Sequence, residues 1–157
     1  MMHTWFTCKI RYDKTLENGM TKRVTEPYLV DALSFTEAEE RIIEEMTPYI
    51  SGEFTVADVT RANYSELFYS DEDSADTWFK IKMAFIVLDE KTGAEKKTMT
   101  NVLVQAADLR DAVKKLDEGM KGTMSDYVIV SVAETAIMDV YPYKASPEVK
   151  PEFPEAE

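Results

Sequence analysis

Residues 27–46 read PYLVDALSFTEAEERIIEEM. The apolar opening Tyr28-Leu29-Val30 suits a strand. Ser34, followed three places later by Glu37, has the pattern of a helix N-terminal cap. Phe35, Ala38, Ile42 and Met46 then recur at helical spacing, so one stripe of that helix must find a core. Residues 101–120, NVLVQAADLRDAVKKLDEGM, run through the same order. Asp108 and Asp111 stand at the cap, and Leu109, Ala112, Leu116 and Met120 form the stripe. At an offset of 74, Lys22, Leu29, Val30, Ala32, Ala38, Glu44 and Met46 meet identical residues at Lys96, Leu103, Val104, Ala106, Ala112, Glu118 and Met120.

The repeat extends outward from this pair. TWFTCK at 4–9 returns as TWFKIK at 77–82, and Phe54, Val56, Val59 and Leu67 face Tyr127, Ile129, Val132 and Val140, both at an offset of 73. Each copy opens with an alternating strand (about 3–13 and 77–88), followed by a polar turn, TLENG or EKTGAE, of hairpin type. Each closes with an extended segment, 54–69 or 127–143, long enough to bend near Arg61–Asn63 or Glu134–Thr135. The expectation is an α+β fold: a tandem duplication of a ββαβ unit with pseudo-two-fold symmetry, antiparallel-rich sheets and both helices packed on one face. The domain expected is 1–143, made of repeats 1–70 and 77–143 around the linker DEDSAD at 71–76. Residues 144–157, KASPEVKPEFPEAE, read as a disordered acidic tail rich in proline, with Phe153 as the centre of any docking peptide.

Composition narrows the classes. The chain has 157 residues, 45% of them hydrophobic, enough for a packed core. Its net charge of −12 argues against a protein that coats nucleic acid over its whole surface. The cations gather on the first strands and hairpins, while the segment 35–46 is acidic apart from Arg41. A single cysteine, Cys8, excludes an intramolecular disulfide. With neither a secretion signal nor a run of apolar residues long enough to span a bilayer, the expected place is the cytoplasm.

The stretches VTEPYLVDALSFTEAE (24–39), EEMTPYISGEF (44–54) and LVQAADLRDAVKKLDEGMKGTMSDY (103–127) resemble a family of roughly 150-residue proteins from gut Bacteroidetes and their phages, catalogued as a domain of unknown function. The resemblance covers about residues 2–143. It implies a bacterial, mobile-element or phage setting and carries over no activity and no site residues.

Catalytic chemistry has few materials here. His3 is the only histidine and lies at the chain start, and Cys8 falls on the apolar side of its strand. No Cys/His cluster suits zinc, and no glycine loop suits phosphate. DEDSAD lacks the spacing of a calcium loop and reads as a hydrated linker. The expectation is a binding protein without enzymatic activity, metal or cofactor.

Alternation puts Phe6, Cys8, Ile10 and Tyr12 toward the helix, with Phe79, Ile81, Met83 and Phe85 doing the same in the second copy. The opposite side carries Trp5, Lys9 and Arg11, and Trp78, Lys80 and Lys82; Lys22, Arg23, Lys96 and Lys97 extend a positive edge at the hairpins. Such a face binds single-stranded nucleic acid if the tryptophans stack bases while the cations meet phosphates. In the competing reading the tryptophans close the face and the lysines snorkel around them. A protein-interaction module, as a homodimer or with another partner, is a further class. So is a small anionic ligand or nucleotide between the repeats, with Tyr28, Tyr64 and Tyr127 as wall residues.

Overall fold

The computed structural model describes residues 4–142, so the readings of His3 and of the 144–157 tail fall outside the described residues. The fold is mixed α+β, as expected, with two helices and eight strands in two sheets. Two compact units share the chain: one runs to Arg61 and resumes at Asp139, and the other is Ala62–Met138.

In the first unit, β1 (Trp5–Thr15) and β2 (Thr21–Asp31) form a hairpin, in register from Trp5 opposite Asp31 to Thr15 opposite Thr21. The turn closes through Leu16 N–H to Met20 O at 2.8 Å, and Gly19 supplies the left-handed residue it needs (φ 84°). Helix α1 (Phe35–Met46) starts at Ser34, whose Oγ accepts from Glu37 N–H at 3.1 Å while Glu37 Oε1 accepts from Leu33 N–H at 2.6 Å. The strand β3 (Phe54–Ala62) completes the local order.

The second unit has a like order of elements. β5 (Thr77–Leu88) and β6 (Glu95–Ala106) pair antiparallel, α2 (Leu109–Gly119) is capped by Asp108 with Asp111 reaching back to Ala107, and β7 (Asp126–Glu134) lies beside β5. A bulge opposite Lys82/Met83 shifts the register of β7. It lets Ile129 and Val132, three residues apart, both pack on the helix side.

Each expected final segment divides into two strands, with the second part in the other sheet. β4 (Glu66–Phe68) lies parallel to β6, with Leu67 beside Leu103 and Phe68 beside Val104. β8 (Val140–Tyr141) lies parallel to β2, with Val140 beside Leu29 and Tyr141 beside Val30. The sheet orders are therefore β3-β1-β2-β8 and β4-β6-β5-β7, each with one parallel edge strand. Polar bonds fix the two crossings. Ser65 N–H donates to Asn101 O at 2.9 Å, and Thr135 donates to Trp78 O through its N–H and its hydroxyl.

Each unit has its own core between sheet and helix. Phe6, Cys8, Ile10, Val30 and Ala32 meet Ala38, Ile42 and Met46 in the first; Phe79, Ile81, Met83, Val102, Val104 and Ala106 meet Ala112 and Leu116 in the second. Ile42 and Leu116 are fully buried, worth about 1.5–3 kcal/mol each.

Candidate functional site: the sheet faces opposite the helices

On the first sheet, Trp5, Lys9 and Arg11 do lie on the face away from α1, because Phe6, Cys8 and Ile10 take the core side. Trp5 nonetheless keeps only 4% of its surface, and Leu29, on the same face, keeps none. Further along, Lys9 and Arg11 are exposed. Lys9 stands opposite Pro27 and makes no ion pair or hydrogen bond among the described residues, while Arg11 Nε donates to Thr25 Oγ1 at 3.3 Å.

The second sheet has the same plan. Trp78 is 4% exposed, with Tyr69 edge-on at 5.5 Å, and Leu103 is fully buried on the same face. Lys80 is exposed and Lys82 half-exposed, neither with a partner among the described residues. Opposite Lys82, Asn101 buries its Oδ1 with no hydrogen-bond partner among the described residues. Beyond them this face turns apolar through Ala84, Met99 (52% exposed) and Val128 (41%). The first sheet instead carries Arg11, Thr25 and an Asp13–Arg23 ion pair at 3.2 Å.

This corrects one expectation. Trp5 and Trp78 are not open stacking platforms: both indoles are buried, while Lys9, Arg11 and Lys80 stay exposed and Lys82 half-exposed. The hairpin cations also fail to form one edge. Lys22 is opposite Lys14, and Lys96 opposite Val87, on the helix side, whereas Arg23 and Lys97 point to the other face. Arg23 is already paired with Asp13.

Two cations that motif reading passed over do hold structure. Arg41 on α1 donates through Nη1 to Asp31 O and through Nη2 to Pro142 O at 3.0 Å, clasping the chain just after β8. Lys115, at the matching place on α2, donates to Ser70 Oγ at 2.9 Å and pairs with Glu72 at 2.7 Å and Asp111 at 3.1 Å, just after β4. Partial burial lowers the Lys115 pKa, but the bonds and charges of Glu72 and Asp111 outweigh it, and the net shift is upward. Asp111 is held below the usual carboxylate range, first by the Ala107 N–H and then by Lys115. The linker is thus more than a hydrated spacer, since Glu72 is anchored and Ala75 is buried. The available signal was a basic residue at equivalent positions of two helices, one of them otherwise acidic.

Lys115 also borders an open pocket of about 600 Å³ with Phe68, Tyr69, Glu72, Glu118 and Gly119. Its ammonium is neutralised there, so the pocket has no free positive charge to offer an anion.

Cys8 is fully buried, and burial, with a smaller contribution from Glu39, pushes its thiol up to about 12, which leaves no thiolate for nucleophilic chemistry at neutral pH. Tyr28 packs against the first core and stacks on Tyr141 at 6.2 Å; Tyr127 packs against the second and donates to Asp117 at 2.8 Å. Tyr64 is half-buried, and its hydroxyl pKa is raised by that burial. Among the described residues, no three His, Cys, Asp or Glu side chains gather as metal ligands, and no helix is long and apolar enough to cross a membrane.

Fold and faces together define a mixed α+β protein of two four-stranded sheets, each backed by one helix and closed by a strand from beyond the crossing. The chain belongs to the family described as Domain of unknown function (DUF4494), which matches residues 4–143. A search of curated proteins finds no match.

Proposed function

We propose that this chain is a non-enzymatic binding protein that holds single-stranded nucleic acid by its phosphates, on the sheet faces opposite the helices. The observation that carries this reading is the state of Lys9, Lys80 and Lys82. In a chain of net charge −12 they stand on those faces without an acidic partner among the described residues. Arg11, bonded only to a neutral threonine, adds to them. Stacking on Trp5 and Trp78 has no part in this version, because both are buried. Binding is therefore weak, tolerant of base sequence and steep in salt.

The test is anisotropy of a labelled oligothymidine at two salt concentrations. Each phosphate neutralised on a single strand contributes about 0.7 to the log–log salt slope, so the two cations on each face support a slope of about 1.4. Lys9→Glu with Lys80→Glu and Lys82→Glu should abolish binding and leave the fold intact. Absence of binding at low salt, or a slope indifferent to the three substitutions, rejects the reading.

A second reading, a protein-interaction module, is favoured by the apolar part of the second sheet's face, where Met99 and Val128 remain exposed. For the chain's history, we propose a diverged tandem duplication. Its support is the matched hairpins, caps and edge-strand registers, with Leu67 beside Leu103 in one sheet and Val140 beside Leu29 in the other. The resemblance to proteins of Bacteroidetes and their phages supports a cytoplasmic setting in a bacterium, mobile element or phage.

A further inference from the structure

We propose that a second copy of this chain donates its own β8 to the β2 edge of the first sheet, so that two chains form a strand-exchanged dimer. This inference is independent of the ligand. β8 reaches that sheet from β7, which belongs to the other unit, so the sheet already takes its edge strand from a distant part of the chain. Among the described residues, the sheet holds β8 through local contacts. Leu29 N–H donates to Asp139 O at 3.0 Å, Val140 and Tyr141 sit beside Leu29 and Val30, Tyr141 stacks on Tyr28, and Arg41 Nη2 donates to Pro142 O. A β8 from another copy brings the same groups to the β2 edge, so that edge is filled alike in the closed monomer and in the exchanged dimer.

The choice between them therefore lies in the crossing. Thr135 is anchored to Trp78 O on one side and Asp139 to Leu29 N–H on the other; between them Ala136–Met138 form a short hinge, tied within itself by Ile137 N–H to Thr135 Oγ1 at 3.3 Å. A short hinge limits how freely β8 folds back on its own sheet and favours exchange. Being last in the described chain, β8 exchanges without carrying any other described strand with it. The effective concentration of a strand on a short tether is on the order of millimolar. Exchange therefore becomes competitive when chains refold together near that concentration.

The experiment is light-scattering mass determination of the full chain after unfolding and refolding at low and at near-millimolar concentration. A dimer is expected from the concentrated sample, persisting on dilution because reversal requires β8 to detach. Inserting Gly-Ser-Gly-Ser after Ile137 should return the sample to monomer, and deleting Ile137 should enrich the dimer. A wild-type chain that stays monomeric after concentrated refolding overturns the proposal. So does a dimer whose abundance ignores the insertion, since an ordinary surface dimer has no reason to respond to hinge length.

Discussion

Gly119 closes α2 directly beneath the ring of Phe68 on β4. A Cβ built there would stand 2.6 Å from one ring carbon and 2.7 Å from the next, a separation that real contacts do not reach. Gly119→Ala therefore sets two effects against each other. Helix propensity favours alanine by about 0.5–1 kcal/mol, toward the low end at a last helical residue. Overpacking costs about 1–3 kcal/mol unless the ring swings away, and the Phe68 ring packs against the second core. The net expectation is a loss of about 1–2 kcal/mol. Phe68→Ala weakens the protein on its own account, but it removes the obstacle. In that background Gly119→Ala should stabilise by about 0.5 kcal/mol, reversing its sign. Urea unfolding of the four proteins in the double-mutant cycle, with slopes compared to exclude a change of mechanism, measures the coupling. A stabilising Gly119→Ala in the wild-type background, or the same effect in both backgrounds, would refute the account of the contact.

Three further outcomes rest on the caps, the Arg41 clasp and the buried thiol. Ser34→Ala and Asp108→Ala each remove an N-cap acceptor and should each cost about 1 kcal/mol in thermal unfolding, whereas Ser34→Asp should cost little. Arg41→Ala deprives the Asp31 and Pro142 carbonyls of a charged donor; a loss of about 1–2 kcal/mol is expected in urea, and hydrogen exchange should quicken first at Leu29. Cys8 should resist thiol reagents in the native protein at about pH 8 and react fully once unfolded. Its folded pKa lies above its unfolded one, so the associated stability is complete below pH 9.0 and drains away as pH rises toward about 12. Cys8→Ala should reduce that alkaline loss, to which the raised Tyr12, Tyr28 and Tyr141 hydroxyls also contribute, and an unchanged pH profile would count against it.

The local architecture was legible because it rests on period and caps. Ala38, Ile42 and Met46 announce the buried helix face, Phe35 lies at its margin, 52% exposed and edge-on to Phe6, and Ser34 with Glu37 announces the start. The edge strands were not legible. β4 and β8 span only three and two residues, too few to show a period, and their partners are chosen by where the chain travels after β3 and β7. For the tryptophans, alternation assigned the correct face but said nothing about whether that face is covered. Trp5 and Lys9 share one side of β1, yet one is buried and the other is in water. Arg41 and Lys115 escaped notice because their partners are mostly backbone carbonyls and linker residues, which leave no pattern in side-chain spacing.

The traded edge strands also bear on what happens if the chain is cut. A protease that nicks the exposed part of 71–76 would leave two polypeptides, each with a strand hydrogen-bonded into the other's sheet: β4 of the first piece beside β6, and β8 of the second beside β2. Such a pair behaves as a split protein whose halves clasp each other, separable by denaturant but not by the cut itself.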